Sequence, residues 1–353
     1  MARCSMWPAL AGAVGGLRWH GGLAPDTRTP SYCSEAPSQE SSTSFVEAKF
    51  MGLHRKGLVQ LGDWHIVTLY PPMGPQHIWD TIKYFRNIIR PCVFVKVWNA
   101  REAQAREGLS EASFLQKHGF VALKRTTAMT ARDWNESAPK TLDISHFTGH
   151  GMPEGIESPI TRIYAPEVEQ IVRELFPDAK DLELDPFCAR RGPGTKNPTY
   201  SFAVHQDYAF VADDWPMAGD EFRSRFASSE TRGMMVLNFW RPVLPMRGPV
   251  VKTPLAVCDP SSVNIEDVLP ISIKWDAMPH HRMLALAHDE EQRWYYYPDM
   301  TVDEVLIFKS FQYFKTQTGP ELNTCFHTAF EVPSAPGGAE SRQSAEYRVR
   351  VWF

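Results

Sequence analysis

The sequence lacks any pair of cysteines at metal-binding or redox spacing. Its six cysteines are scattered along the chain, and no CxxC pair occurs among them: Cys4, Cys33, Cys92, Cys188, Cys258 and Cys325. Neither a disulfide framework nor a structural zinc site is therefore expected. This cysteine usage fits a reducing, intracellular setting.

The chain also lacks an excess of one charge and a long apolar run. It has 37 basic and 41 acidic residues, a net charge of −4. Nucleic acids and anionic membrane surfaces favour basic partners, so neither is expected as a partner. No apolar run approaches the roughly 20 residues that span a bilayer. There is no GxGxxG motif, no P-loop and no internal repeat.

The first 48 residues differ in composition from the rest, being rich in Gly, Pro, Ser and Thr. They contain Arg3 and Arg18 but no acidic residue before Asp26. We interpret residues 1–48 as a flexible leader, with an organelle-targeting segment as the alternative. Residues 49–353 are then expected to form a single domain, with a cytoplasmic location unless the leader directs it elsewhere. The sequence does not indicate an oligomeric state.

The pattern of residues 49–353 predicts a mainly β fold with flanking helices. "APEVEQIVRELF" (165–176) predicts an amphipathic helix, and "SEASFLQKHG" (110–119) a short helix with a serine cap and a glycine end. Short strands separated by turn signals argue for a sandwich or barrel. They are expected at 64–70, 92–98, 181–187, 200–208, 233–240, 255–259, 293–298, 303–311, 323–332 and 346–353.

The stretch "SFAVHQDYAF" contains an imidazole and a carboxylate two residues apart, His205 and Asp207. Residues i and i+2 of a strand point to the same face, so the two side chains can converge. They would supply two ligands of a 2-His-1-carboxylate triad, which holds non-haem Fe(II) and leaves positions open. A lone HxD pair is weak evidence, because buried histidines often only satisfy hydrogen bonds.

A third ligand should be a distant histidine on another strand. His327, in the apolar stretch "NTCFHTAF", meets this condition. If the triad uses 2-oxoglutarate, a cation must hold the far carboxylate of that co-substrate, and the planar fork of arginine suits this task. Arg342 with Ser344, in "RQS", is the first candidate, and Arg348 is the second. Alternatively, Arg348 is a solvent-facing residue of the last strand.

These motifs occur in an order that resembles a known family. The matching pieces include "CARRG" (188–192), "AVHQDY" (203–208), "LNFWRPV" (237–243), "WYYYPDMTVDEVLIFKSF" (294–311), "CFHTAFEVP" (325–333) and "RQSAEYRVRVWF" (342–353). Together with further pieces from about residue 95 onward, they resemble the fungal hydroxylase/desaturase family that includes the gibberellin desaturase, the AsaB-type enzymes and the CmcJ-like proteins.

The resemblance implies an Fe(II)/2-oxoglutarate-dependent oxygenase of secondary metabolism with a double-stranded β-helix, a jelly-roll, cupin-like core. It implies that His205, Asp207 and His327 are the iron ligands, with 2-oxoglutarate and O2 as co-substrates. The expected reaction is hydroxylation or desaturation of an unactivated C–H in a small apolar terpenoid, polyketide or alkaloid intermediate. A non-catalytic or zinc-binding cupin-like protein with the same triad remains the alternative.

Aromatic residues near these motifs are candidates for the substrate pocket, although each could equally be a core residue. Arg241 belongs to the motif "WRP", whose Pro242 could instead end a strand. The pocket candidates are Phe210, Trp215, Phe239, Trp240 and Arg241.

Overall fold

The computed structural model describes most of the chain from residue 45 onward. The described residues are 45–53, 67–69, 89–136, 157–185, 188–195, 198–208, 224–225, 227–273, 281–316 and 322–353. The expected leader lies almost wholly outside them, and so do the pocket candidates Phe210 and Trp215. The stretch "QHIWDTIKYFRNII" (76–89), whose apolar spacing suggests a helix, also lies outside them except for Ile89, which begins a strand.

The described part is built mainly from strands. The strands are β1 (Phe45–Leu53), β2 (Val67–Leu69), β3 (Ile89–Asn99), β4 (Phe120–Lys124), β5 (Asp181–Leu184), β6 (Ala189–Arg191), β7 (His205–Gln206), β8 (Gly233–Pro242), β9 (Leu255–Cys258), β10 (Val268–Ile273), β11 (His281–Leu286), β12 (Trp294–Tyr296), β13 (Glu304–Phe314), β14 (His327–Ala329) and β15 (Ser344–Trp352). The helices are α1 (Ala100–Glu107), α2 (Glu111–His118), α3 (Ala131–Glu136) and α4 (Ala165–Leu175).

Local sequence determines where the helices begin and end. Ser110 caps α2 by accepting a hydrogen bond from the Ser113 backbone, and Gly119 ends it at φ 77°, a left-handed conformation that glycine adopts without strain. The α4 stripe of Val168, Ile171, Val172 and Leu175 is buried, as the periodicity predicts. A single π-helical turn, Ile160–Tyr164, precedes α4 and was not predicted.

The strands form two sheets. The nine-stranded sheet has the order β1-β3-β12-β9-β14-β7-β11-β10-β2. The six-stranded sheet has the order β4-β13-β8-β15-β5, with β6 also pairing to β15. Side chains bridge the sheets: the ring of Phe308 in β13 lies 4.8 Å from the ring of His327 in β14. The expected mainly β architecture is therefore present, with its two sheets facing each other.

The six-stranded sheet has two distinct faces. Successive residues of a strand point to opposite sides, and direct cross-strand partners share a side. Tyr347 in β15 packs against Tyr164 at the start of α4, with ring centroids 5.3 Å apart, so its face is the helix-covered one. The opposite face, which carries Phe308, meets the nine-stranded sheet. We call it the inner face.

Several predicted strands differ in length from those observed. The stretch 200–208 pairs as a strand only at His205–Gln206, and 323–332 only at His327–Ala329. At the other end of the chain, β1 already begins at Phe45, four residues before the expected domain boundary at residue 49. Strands β1, β4, β6, β10 and β11 and helices α1 and α3 were not predicted.

Candidate metal centre

The structure brings His205, Asp207 and His327 together. His205 in β7 and His327 in β14 are direct cross-strand partners, so their side chains share one face of the nine-stranded sheet. Asp207 follows β7 by one residue. One ligand atom from each of the three residues lies within 4.8 Å of the others. In the described residues this is the one such group of metal-ligating side chains.

Both imidazoles are oriented by backbone carbonyls. His205 Nδ1 lies 2.7 Å from the Ala203 carbonyl oxygen, and His327 Nδ1 lies 3.4 Å from that of Cys325. Because a carbonyl can only accept a hydrogen bond, Nδ1 of His205 must carry the proton. The Nε2 lone pair of His205 is then free to bind a metal, an arrangement typical of metal-ligating histidines.

The surroundings keep His205 neutral. Burial, reinforced by the neighbouring His327, lowers the pKa of His205 to about 4, although Asp207 acts in the opposite direction. A metal must compete with protons for an imidazole. At neutral pH that competition is absent at His205. Two imidazoles and one carboxylate form a donor set that suits Fe(II) or Zn(II).

The two carboxylate oxygens of Asp207 have different partners. Oδ1 lies 3.8 Å from Nε2 of His205, and Oδ2 accepts a hydrogen bond of 2.9 Å from Nη2 of Arg348. One oxygen therefore faces the imidazoles while the other is held by a guanidinium. Burial opposes the charge of Arg348, but Asp207, acting together with Tyr208, Glu346 and Asp185, outweighs burial and raises the pKa of Arg348 above its usual value.

Arg342 has a different environment. Its guanidinium lies 4.1 Å from the Tyr200 ring and 5.3 Å from the Trp240 ring, and its Nη1 donates to the Thr253 carbonyl at 2.6 Å. Its residue exposure is 2%, and no carboxylate among the described residues pairs with it. Burial lowers the pKa of Arg342 to about 10. Arg342 Nε and the buried Ser344 hydroxyl have no hydrogen-bond partner in the described part of the chain.

The structure divides the "WRP" motif between the two faces of β8. Trp240 pairs with Glu346, two residues from Arg348 in β15, and so lies on the inner face. Phe239 pairs with Tyr347, and Arg241 donates to the carbonyls of Arg125 and Val302, so both lie on the helix-covered face. The structure thus does not bring these two pocket candidates to the triad.

Sequence reasoning missed three residues near the triad or Arg342. Tyr200 stacks on Arg342, the Thr253 carbonyl binds it, and Asn238 is fully buried on the inner face of β8. Asn238 did have a signal, since it is a single amide in the otherwise apolar strand "GMMVLNFW". Tyr200 and Thr253 lie in loops, and nothing in their local pattern indicates a contact with a residue so far along the chain.

A family model described as "Oxidoreductase/YMDC permease-like domain" matches residues 87–352, from before β3 to the end of β15. The chain belongs to this family. No helix in the described part of the chain is both long enough and apolar enough to cross a membrane.

Curated relatives of this family member come from fungi. Aspirochlorine biosynthesis protein N of Aspergillus oryzae is 33% identical over 119 residues, which cover 33% of this chain and 48% of the relative. Hydroxylase/desaturase CTB9 of Cercospora beticola is 30% identical over 168 residues, 45% of this chain and 49% of the relative. The chain spans about half the length of these relatives. The expected resemblance to fungal hydroxylase/desaturase enzymes is confirmed.

A solved structure shares the fold. The iron and alpha-ketoglutarate-dependent endoperoxidase NvfI superposes with a TM-score of 0.61 at 18% identity, covering 88% of this chain and 99% of the endoperoxidase. The same endoperoxidase in a different conformation gives a TM-score of 0.60. The predicted jelly-roll core is confirmed by this likeness.

Proposed function

We propose that this chain is an Fe(II)/2-oxoglutarate-dependent oxygenase that hydroxylates or desaturates a small apolar metabolite. The convergence of His205, Asp207 and His327 within 4.8 Å, with a neutral imidazole and a carboxylate held in place, carries the proposal. The names of the fungal relatives support it, since they include hydroxylase/desaturases and an Fe(II)/2-oxoglutarate-dependent dioxygenase. A terpenoid, polyketide or alkaloid intermediate is the proposed substrate class.

The three residues of the triad would hold the iron, each through one atom. His205 and His327 would bind through Nε2, because their Nδ1 atoms face carbonyl oxygens. Asp207 would bind through Oδ1, because Oδ2 is engaged by Arg348. When bound, Fe(II) supplies the activation of O2 that is coupled to decarboxylation of the 2-oxo acid. The chain's own task is to hold the metal, orient both substrates and exclude water.

Of the two candidate arginines, Arg342 is the better site for the far carboxylate of 2-oxoglutarate. It is buried, lacks a carboxylate partner among the described residues and lies two residues before Ser344, whose buried hydroxyl also has no partner among them. An anion with two oxygens would satisfy Arg342 Nε and Ser344 together. Arg348 already holds Asp207, so we assign it the positioning of that ligand instead.

Aromatic side chains on the inner face suit an apolar substrate. Trp240 and Phe308 are fully buried there, and Phe308 packs on His327. The proposed role of Trp240 as a pocket residue is kept. Phe239 and Arg241 are not part of the proposed pocket, because they face the helices.

The proposal is tested by the conversion of 2-oxoglutarate to succinate by purified protein. Fe(II)-loaded protein should form succinate with O2, even slowly and without the primary substrate, whereas His205→Ala and Asp207→Ala should fall to background. Zn(II)-loaded wild type serves as the control for metal identity. Equal absence of succinate in all samples of folded protein would contradict the oxygenase assignment and favour a zinc-binding protein with the same triad.

A further inference from the structure

Asn238 is a buried amide that the described part of the chain leaves without a hydrogen-bond partner. It lies in the middle of β8, has 0% exposure, and neither its Oδ1 nor its Nδ2 has a hydrogen-bond partner among the described residues. Buried polar groups in native proteins nearly always have a partner, and an unpaired one is destabilising. The exception here calls for a group that the described residues do not supply.

The neighbours of Asn238 place it opposite the triad. Its direct cross-strand partners are Phe308 in β13 and Arg348 in β15. Phe308 packs on the ring of His327, and Arg348 binds Asp207. The amide is thus the centre of a three-strand row whose two flanking residues each touch a candidate metal ligand.

Further buried donors without a hydrogen-bond partner among the described residues follow on the inner face, in the direction from Asn238 to Arg342. Trp240 follows Asn238 by two residues on β8, and its Nε1 has no partner within the described residues. Ser344 Oγ and Arg342 Nε complete the series, and the Arg342 guanidinium lies 5.3 Å from the Trp240 ring. Donors at both ends of an aromatic surface match a ligand with oxygens at both ends and methylene groups between.

We propose that the Asn238 amide binds the 2-oxo acid end of the co-substrate, while Arg342 and Ser344 bind its far carboxylate. This inference rests on the proposed function and adds a co-substrate contact to it. Asn238 Nδ2 donates to an oxygen of the 2-oxo acid group. Asn238 thereby defines the metal end of the co-substrate site.

The experiment compares Asn238→Leu with Tyr347→Phe. Leucine is close in size to asparagine and has no polar atoms, so removal of the orphaned amide should leave the melting temperature of metal-free protein unchanged or higher. Tyr347 is the matched control, because its buried hydroxyl is also without a partner in the described residues but lies on the helix-covered face. Asn238→Ala provides a second amide deletion in case leucine overpacks the site.

Isothermal titration of Mn(II)-loaded protein with 2-oxoglutarate, and of metal-free protein with Mn(II), gives the readout. For Asn238→Leu we expect the Kd of 2-oxoglutarate to rise about ten- to a hundred-fold, as for the loss of a hydrogen bond to a charged group, with the Kd of Mn(II) unchanged. Tyr347→Phe should bind both as wild type does.

Three outcomes would overturn the inference. If folded Asn238→Leu and Asn238→Ala bind 2-oxoglutarate with wild-type affinity, the amide does not bind the co-substrate. The same conclusion holds if these variants lose only turnover of the primary substrate. An equal loss of Mn(II) affinity would assign Asn238 to the support of the triad. If wild type itself binds Mn(II) but not 2-oxoglutarate, the proposed function fails along with the inference.

Discussion

Two arginines six residues apart have different surroundings, and only the folded chain distinguishes them. Arg342 and Arg348 both follow the distal histidine, and both occur in a stretch whose pattern alternates. The sequence could name both as candidates, because the residue type is what carboxylate recognition requires. It could not choose between them, because the choice depends on Asp207 and Tyr200, which lie more than a hundred residues earlier in the chain.

Substitution of each arginine should therefore weaken the binding of a different ligand. Arg342→Gln should raise the Kd of 2-oxoglutarate about ten-fold or more and leave metal affinity unchanged, because the guanidinium that pairs with the far carboxylate of the co-substrate is lost. Arg348→Gln should lower metal affinity about ten- to a hundred-fold, the usual effect of removing a group that orients a ligand. Arg350→Gln is the matched control, since Arg350 lies two residues further along and pairs with Glu183.

Titrations with Mn(II) and then with 2-oxoglutarate separate the two effects. If Arg348→Gln bound the metal normally and lost only 2-oxoglutarate, Arg348 would be the co-substrate residue and the assignment of Arg342 would be wrong.

Among the elements, the pairing of β7 with β14 is the step that assembles the triad. The HxD spacing indicated that His205 and Asp207 could converge, and the apolar context of His327 indicated a second strand. The register that places His327 opposite His205 arises from non-local strand order, which a single sequence does not specify. Both strands also proved shorter than their apolar patterns suggested, since neighbouring loops supply part of each buried stretch.

Helix α2 is attached to the nine-stranded sheet by a charged network that no sequence pattern predicted. His118 Nδ1 lies 2.9 Å from Asp259 Oδ2, and Nε2 lies 2.9 Å from Glu107. Burial opposes the charged form of His118, but the hydrogen bonds that its ring donates to Asp259 and Glu107 outweigh burial and raise its pKa. The pKa of Asp259 is lowered, because its hydrogen bonds to His118 and Ser261 outweigh burial.

The network should make the stability of the protein depend on pH. The contribution of His118 is fully present below its unfolded pKa of about 6.5 and is lost as the pH rises through the raised folded value. The contribution of Asp259 is present above its unfolded value and is lost on acidification. His118→Gln should therefore lower the free energy of unfolding by about 2–3 kcal/mol near pH 6, and by less above pH 8.

Urea denaturation at several pH values measures this difference. Lys117→Gln is the control, because Lys117 contacts only the outer side of the network through Glu107 and is exposed, so its loss should change stability by about 0.5 kcal/mol or less. A His118→Gln effect that was the same at pH 6 and pH 8.5 would contradict the account.

For the molecule as a whole, composition and motif order predicted the class of fold, and the expected domain boundary at residue 49 falls inside strand β1. Strand β1 starts at Phe45, whose ring lies 4.9 Å from that of Trp98, and Phe50 packs edge-on against Trp294 at 5.0 Å. The compositional change near residue 48 thus falls inside a strand. The first residues of β1 include polar as well as apolar side chains. In composition they resemble the preceding segment more than they resemble a buried strand.

Truncations should reveal this boundary. A chain that begins at residue 45 should melt within about 2 °C of the full chain, since all of β1 is kept. A chain that begins at residue 54 loses β1 and the Phe50 contacts, and it should be destabilised by at least about 3 kcal/mol. Differential scanning calorimetry of the three chains checks the expectation, and equal stability of all three would show that β1 is not part of the folded domain.

The central claim is that His205, Asp207 and His327 hold iron with 2-oxoglutarate beside it. The most direct measurement is the visible absorption of purified protein during anaerobic titration with Fe(II) and 2-oxoglutarate. The account predicts a weak charge-transfer band in wild type and its absence in folded His205→Ala and His327→Ala. Absence of the band from folded wild type, or its persistence in both variants, would contradict the claim.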